Sequence, residues 1–173
     1  MNDSSVIDTV AGAVQGEGNS APSLLIGAQY LRSTRFVIID DPTLHTRPPI
    51  RPEVLAHIDV AARQIADNSP DFEVSLVLRC QGFPMLPKEN EPSQPRLFEA
   101  EFTWAGLFSL RNSTAETFEP LLLVEAPRML FPGARNYLAD LTRDAGFSPV
   151  LLHQIDFLSL WHSRRGTKAS EGG

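Results

Sequence analysis

The chain offers few side chains that could do chemistry. Its four histidines, His45, His57, His153 and His162, occur without an HxH or HExxH spacing and without a neighbouring Asp/Glu cluster at ligand spacing. Isolated histidines of this kind are more often packing or surface residues than metal ligands, so we expect no metal site. The sequence also has no GxSxG elbow, SxxK motif or P-loop. We therefore expect a protein that is not an enzyme and that needs no cofactor.

Two further features could be taken for reactive groups. Cys80, the single cysteine, falls on the apolar face of a predicted strand, where a thiol packs as an inert side chain. One cysteine can form neither an intramolecular disulfide nor a CxxC pair, and this favours a reducing compartment. Glu99 and Glu101 share a strand face and could in principle divide acid and base roles, but solvated carboxylates are the commoner explanation.

Composition limits the classes of function. The chain has 173 residues, 42% of them hydrophobic, and a formal net charge of -6. These values are typical of a one-domain globular protein and argue against nucleic-acid binding, which needs a basic surface. No basic, apolar leader opens the sequence, and no stretch approaches the roughly 18 apolar residues of a membrane span. We expect a cytoplasmic protein without membrane insertion.

Four segments have the alternation of apolar and polar side chains that is typical of β-strands: residues 24–39, 53–66, 72–80 and 97–110. In the first strand the even positions from Leu24 to Ile38, Tyr30 included, are predicted to share one face. Its odd positions are also partly apolar, which indicates that a partner chain covers part of this strand.

The connecting segments are defined mainly by proline. Residues 40–52 hold several prolines and are predicted to form a long crossover loop. Residues 81–96 are equally rich in proline, and they form either a long hairpin loop or a functional flap. Residues 1–23 are predicted to be a disordered tail, and residues 166–173 a flexible one.

The period changes to a helical one after the fourth strand. A long helix is predicted to end near Gly146, with Pro120, Pro127 and Pro132 breaking or kinking its first part. A short helix should begin at the N-cap Asp156 and carry an exposed aromatic stripe that ends at Trp161. The predicted fold class is α+β: a four-stranded antiparallel meander with a long and a short C-terminal helix packed on one face.

Several stretches of the chain resemble the SecB family of export chaperones. The first strand, LLIGAQYLRSTRF, is similar to the family's FxIxxIYxKDxSF opening. The other matching landmarks are Pro52-Glu53-Val54, Gly106-Leu107-Phe108-Ser109-Leu110, Ala126-Pro127, Leu130-Phe131-Pro132, Ala134-Arg135, Phe147, Phe157 and Leu160-Trp161. The resemblance covers nearly all of residues 24–165, the part predicted to be ordered.

This resemblance implies a homotetramer, a dimer of dimers, that binds unfolded polypeptides without ATP and hands secretory precursors to the SecA motor. It also implies a client groove, formed by Leu44, Ile50, Val54, Ala56, Ile58, Phe157, Leu160 and Trp161. The competing explanation is that most of these residues are ordinary core residues, and for Val54 and Ile58 the two explanations are evenly matched.

The chain departs from the family where SecA is expected to bind. Ser33 and Val37 stand where the family has carboxylates, and only Glu101 keeps one as a candidate SecA contact. Coupling to SecA is therefore in doubt. An alternative is a SecB-like chaperone dedicated to one client, such as an antitoxin. A third hypothesis, a small-molecule carrier or enzyme that uses a cavity between sheet and helices, lacks convergent polar residues.

Overall fold

A computed structural model describes residues 20–39, 41–90 and 95–170. Its strands are β1 (Ser23–Ile38), β2 (Glu53–Gln64), β3 (Asp71–Phe83) and β4 (Phe98–Arg111), and its helices are α1 (Phe118–Pro120), α2 (Ala126–Asp144) and α3 (Phe157–Ser170). The predicted fold class, an antiparallel four-stranded sheet with a long and a shorter helix, is confirmed. Most of the predicted N-terminal tail, residues 1–23, lies outside the described residues.

The four strands lie in the order β1-β4-β3-β2. Strands β2, β3 and β4 form an antiparallel meander, as predicted, but β1 pairs with β4 and not with β2. The prediction of a simple meander is therefore wrong for β1. The segment after β1 is too long and too rich in proline for a hairpin, and it carries the chain across to the far edge of the sheet.

One face of the sheet, here called the helix face, carries the core. Phe98, Phe102, Leu76 and Leu78 on this face have no exposed surface, since α2 packs over them. Cys80 belongs to the same face and is 2% exposed, as predicted. Burial raises the pKa of its thiol to about 12, so the group is a packed thiol and not a nucleophile at neutral pH.

The opposite face, here called the outer face, is crossed by a cluster of polar groups around Glu73. This carboxylate is 5% exposed and accepts hydrogen bonds from Tyr30, Arg32 and Arg63, the last at 2.8 Å. Burial would raise the pKa of Glu73, but the hydrogen bonds from Tyr30 and Arg63 and the charge of Arg32 outweigh it and lower that pKa. The cluster ties side chains of β1 and β2 to Glu73 of β3, and the contacts from β1 reach across β4.

Tyr30 was predicted to share a face with Leu24 and Ile38, and this is wrong. The pairing of β1 with β4 shifts register twice, between Ile26 and Gln29 and between Leu31 and Ser33. Such irregularities exchange the two faces of a strand, because side chains alternate with a period of two. Tyr30 is thereby turned to the outer face, where it reaches Glu73.

Of the predicted break or kink at the prolines, the break is wrong. The chain is helical from Phe118 to Asp144, with a π-helical turn at Leu121–Glu125 directly before α2. Pro127 stands in the first turn of α2, where a missing N–H costs little, while Pro132 lies inside the helix. Packing of Leu130 and Phe131, both buried, offsets the hydrogen bond that Pro132 cannot make.

Glycine lets α2 approach the sheet closely. A Cβ atom on Gly133 would lie 2.7 Å from Nε1 of Trp104, and one on Gly106 would lie 2.6 Å from Cδ2 of Leu130. The predicted stop at Gly146 is confirmed, since Gly146 has a φ of +89° and its N–H bonds to the Arg143 carbonyl.

Helix α3 is longer than predicted. Asp156 caps it, accepting a hydrogen bond from the Ser159 N–H at 3.1 Å, but the helix continues past Trp161 to Ser170. The residues after Trp161 lack an apolar period, so periodicity could not reveal the continuation, although arginine and lysine are good helix formers. Residues 166–170, predicted to be part of a flexible tail, are therefore helical, and residues 171–173 lie outside the described residues.

Replacement of Thr142 by Val should loosen the segment that follows α2. The Thr142 hydroxyl is fully buried, donates to the Leu138 carbonyl at 2.9 Å and accepts from the Val150 N–H at 2.9 Å. Valine has the same shape but leaves that N–H unpaired, which should lower the free energy of unfolding by about 1–3 kcal/mol. Urea denaturation measures this change. Thr142→Ser keeps the hydroxyl and should lose less; equal losses would show that the hydroxyl is unimportant.

Candidate functional site

A groove with mostly apolar walls runs along the first half of β2, on the helix face, and Arg51, Glu53, His57, His153 and Gln154 also border it. It has a cavity volume of about 730 Å³ and is bounded by Val54, Ala56 and Ile58 of β2, by residues 149–155 and by Leu160 of α3. Leu86, from the segment after β3, also lines the groove and is 40% exposed. This cavity is here called the β2 groove.

The wall formed by residues 149–155 is fixed by hydrogen bonds and not by regular structure. Arg135 of α2 donates from Nε to the Leu152 carbonyl at 2.6 Å, and the Thr142 hydroxyl holds Val150. The Ser148 N–H donates to the Ile50 carbonyl at 2.9 Å, which joins this segment to the loop that precedes β2. Leu151 is left 58% exposed beside the groove.

The structure brings four of the predicted client-binding residues together. Val54, Ala56, Ile58 and Leu160 line the β2 groove, and Ala56 is exposed within it. Trp161 lines a second cavity nearby, which Leu160 shares. These positions are grouped in space as the sequence resemblance implied, although their role in client binding stays a prediction.

The other three predicted residues contribute to packing. Phe157 is 1% exposed and packs edge-on against Phe131 at a centroid distance of 5.9 Å, so the predicted exposed aromatic stripe is wrong for this residue. Phe157 is buried because it lies on the side of α3 that faces α2, where its ring packs against Phe131. Leu44 and Ile50 are partly buried against the core and line neither cavity.

The second cavity, here called the Trp161 pocket, has a volume of about 390 Å³ and lies beside Val60 of β2. The Arg165 guanidinium stands 4.8 Å from the centre of the Trp161 ring, within cation–π range. The indole N–H of Trp161 is buried and has no hydrogen-bond partner in the part of the chain that is described. An unpaired buried donor costs about 1–3 kcal/mol, so an incoming acceptor would be favoured here.

A chain of ion pairs joins α3 to the outer face. Arg164 of α3 contacts Asp59 of β2, Asp59 contacts Arg79 of β3 at 2.9 Å, and Arg79 contacts Glu101 of β4 at 3.0 Å. Burial would raise the pKa of Asp59, but the hydrogen bond from Arg79 and the charge of Arg164 lower it below its ordinary value. Glu101, the predicted SecA contact, is thus already paired with a cation.

The described residues include no group of three or more His, Cys, Asp or Glu that could hold a metal ion. No helix in the described ranges is long and apolar enough to cross a bilayer.

The structure adds residues to the site that the sequence did not predict: Arg164, Leu86 and residues 149–155. Their positions depend on tertiary packing, and only the length and amphipathic character of the segment after α2 could have indicated a wall there.

The chain is similar in sequence to proteins named for export. A family model described as "Preprotein translocase subunit SecB" matches residues 17–168. "Protein-export protein SecB" of Granulibacter bethesdensis is 34% identical over 171 residues, which are 99% of this chain and 97% of the relative. "Protein-export protein SecB 1" of Gluconobacter oxydans is 33% identical over 165 residues, or 95% of each chain.

A solved structure shares the fold. The SecB-like chaperone of Mycobacterium tuberculosis, in complex with a ChAD peptide from the HigA1 antitoxin, superposes with a TM-score of 0.60 at 18% sequence identity. The match covers 76% of this chain and 90% of that one. The family model and the two relatives, which match nearly the whole chain, establish that the chain belongs to the SecB family.

Proposed function

We propose that the chain is an ATP-independent holdase chaperone that binds unfolded polypeptides in the cytoplasm, secretory precursors for Sec-dependent export among them. The observation that carries the proposal is the β2 groove, an apolar cleft beside an edge strand. The names of the full-length relatives, which are protein-export proteins, support the export role.

The physical basis of such a function is simple. A non-native chain exposes apolar side chains and unpaired backbone groups, and the β2 groove offers apolar walls next to an open strand edge. Any site that binds the unfolded state and not the native one delays folding by mass action, with no chemical step. The groove needs no catalytic residue for this activity.

We also infer that the chain assembles as a homotetramer, a dimer of dimers. Strand β1 is an edge strand and exposes apolar side chains on both faces. These are Leu25 at 52%, Ile26 at 42%, Leu31 at 37% and Ile38 at 38% exposure. A long edge with apolar side chains is a template for association, and pairing with a second copy would cover it.

A second candidate function is that of a SecB-like chaperone dedicated to one client, such as an antitoxin, without coupling to SecA. The charges on the outer face favour it. Glu101 is paired with Arg79 and Glu99 with Arg96, so this face presents mixed charges and not an acidic patch. A basic partner would have to displace arginines that are already in place.

Holdase activity should depend on the apolar character of the β2 groove. The change Ala56→Glu places a charge among apolar groove walls and should weaken binding of a denatured client about tenfold, because the carboxylate must be desolvated when the client binds. Binding of a fluorescently labelled, unfolded protein measures the affinity, and light scattering measures the delay in its aggregation.

The matched control is Ala61→Glu. Ala61 is exposed on the same strand but belongs to the outer face, where it pairs with Ser75. This variant should bind the client as the unchanged protein does. Equal losses in the two variants, or no client binding by the unchanged protein, would contradict the proposed role of the groove.

Assembly should depend on β1. Native mass spectrometry should find four copies of the 19.1 kDa chain. The change Leu31→Glu puts a charge into the proposed interface and should shift the population to smaller species. Met85→Glu, at a residue that is 56% exposed and outside β1, should leave the tetramer intact. A monomeric unchanged protein would rule out the tetramer.

SecA binding separates the two candidate functions. If the chain has lost its coupling, purified SecA should bind weakly at low salt. Arg79→Gln should then strengthen binding by freeing the carboxylate of Glu101, while Asp59 stays paired with Arg164. Arg128→Gln, which removes the same charge from α2, should have no effect. Tight, salt-sensitive binding to the unchanged protein would instead exclude the uncoupled chaperone.

A further inference from the structure

The open edge of β2 can be assigned residue by residue. The Ile65 N–H, directly after β2, bonds to the Asp71 carbonyl, and pairing with β3 is unbroken from Glu53 to Gln64. Backbone groups of successive residues point to opposite sides of a strand, so odd positions bond to β3 and even positions point to the open edge. The Ile58 carbonyl does point to the open edge, because Arg164 of α3 donates a hydrogen bond to it from outside the sheet.

The two cavities lie along this same edge. Val54, Ala56 and Ile58 line the β2 groove, and Val60 lines the Trp161 pocket. All four are even positions, so each brings its side chain to a cavity and its backbone N–H and C=O to the open edge. Leu160 borders both cavities, which places them next to each other at about residue 58.

Arg164 stands at that boundary. Its guanidinium nitrogen Nη2 donates to the Ile58 carbonyl at 2.9 Å and to Oδ1 of Asp59 at 2.5 Å. Arg79 holds Asp59 from the β3 side at 2.9 Å, so the contact is anchored on both sides. A guanidinium on the Ile58 carbonyl occupies the group with which an added strand would have to pair in order to continue along β2.

We propose that Arg164 is a specificity-determining residue that limits how long an extended client segment can pair with the edge of β2. The inference rests on the proposed chaperone function and deepens it. With Arg164 in place, a client strand pairs at Val54 and Ala56 and stops at Ile58. When Arg164 is withdrawn, the edge continues to Val60, and the client reaches the Trp161 pocket, whose indole N–H has no partner among the described residues.

The test compares two client lengths. Arg164→Met keeps an aliphatic stem but has no donor, and Arg128→Met, on α2 and lining neither cavity, is its control and should bind both peptides as the unchanged protein does. The probes are fluorescent, alternating Val-Thr peptides of about five and about nine residues, the lengths that span the groove alone or both cavities. Anisotropy of the full-length protein with each peptide gives the affinities.

The long peptide should bind Arg164→Met about tenfold more tightly than the unchanged protein, the gain expected from one or two further backbone hydrogen bonds. The short peptide should bind both proteins alike. Amide exchange followed by NMR should show protection of Ala56 with either peptide, and protection of Val60 only with the long peptide on Arg164→Met. Asp59→Asn, which removes only the ionic half of the contact, should give a smaller gain in the same direction.

The two possible failures differ in the exchange data. If both peptides protect Ala56 but Arg164→Met neither gains affinity nor protects Val60, the role of Arg164 is wrong and the groove remains a client site. Protection of Val60 by the long peptide on the unchanged protein also overturns that role. If neither peptide binds or protects Ala56, the proposed chaperone function fails, and the inference fails with it.

Discussion

Helix α2 can lie against strand β4 only because glycines occupy contact points between them. Gly133 leaves room for the Trp104 ring and Gly106 for Leu130, so the helix axis comes close enough to seal the aromatic core. The rest of the molecule depends on this contact. Once α2 is fixed, its Arg135 and Thr142 hold the segment that follows, and that segment forms one wall of the β2 groove.

The two faces of the sheet have different roles. The helix face supplies the core and, at the β2 edge, the apolar surfaces of both cavities. The outer face has paired charges, with Glu73 buried among its donors and Glu101 held by Arg79. Asp59 connects the faces, because it receives Arg79 from the outer face and Arg164 from α3. A change of charge on one face can therefore alter the contact that borders the groove.

Local patterns in the sequence predicted the strands well, because alternation reports directly which side chains face the core. They failed where the pairing of strands that are distant in sequence determines which face of the sheet a residue occupies. Two register shifts exchanged the faces of the short stretch of β1 between them and moved Tyr30 to the outer face, and alternation alone does not reveal a bulge. For the site, the resemblance supplied Ala56 and its neighbours on β2. It did not supply Arg164, whose importance arises only when α3 is laid beside the strand edge.

The buried thiol of Cys80 has a practical consequence. Because it is 2% exposed and its pKa is raised to about 12, reagents that modify thiolates at neutral pH should reach it only when β3 separates from the helix layer. Cys80 therefore reports local unfolding of the native chain, because the rate at which it is labelled follows the separation of β3 from the helix layer. A cysteine introduced on the surface of α3 could be labelled selectively while Cys80 stays silent, with no need to alter the native residue.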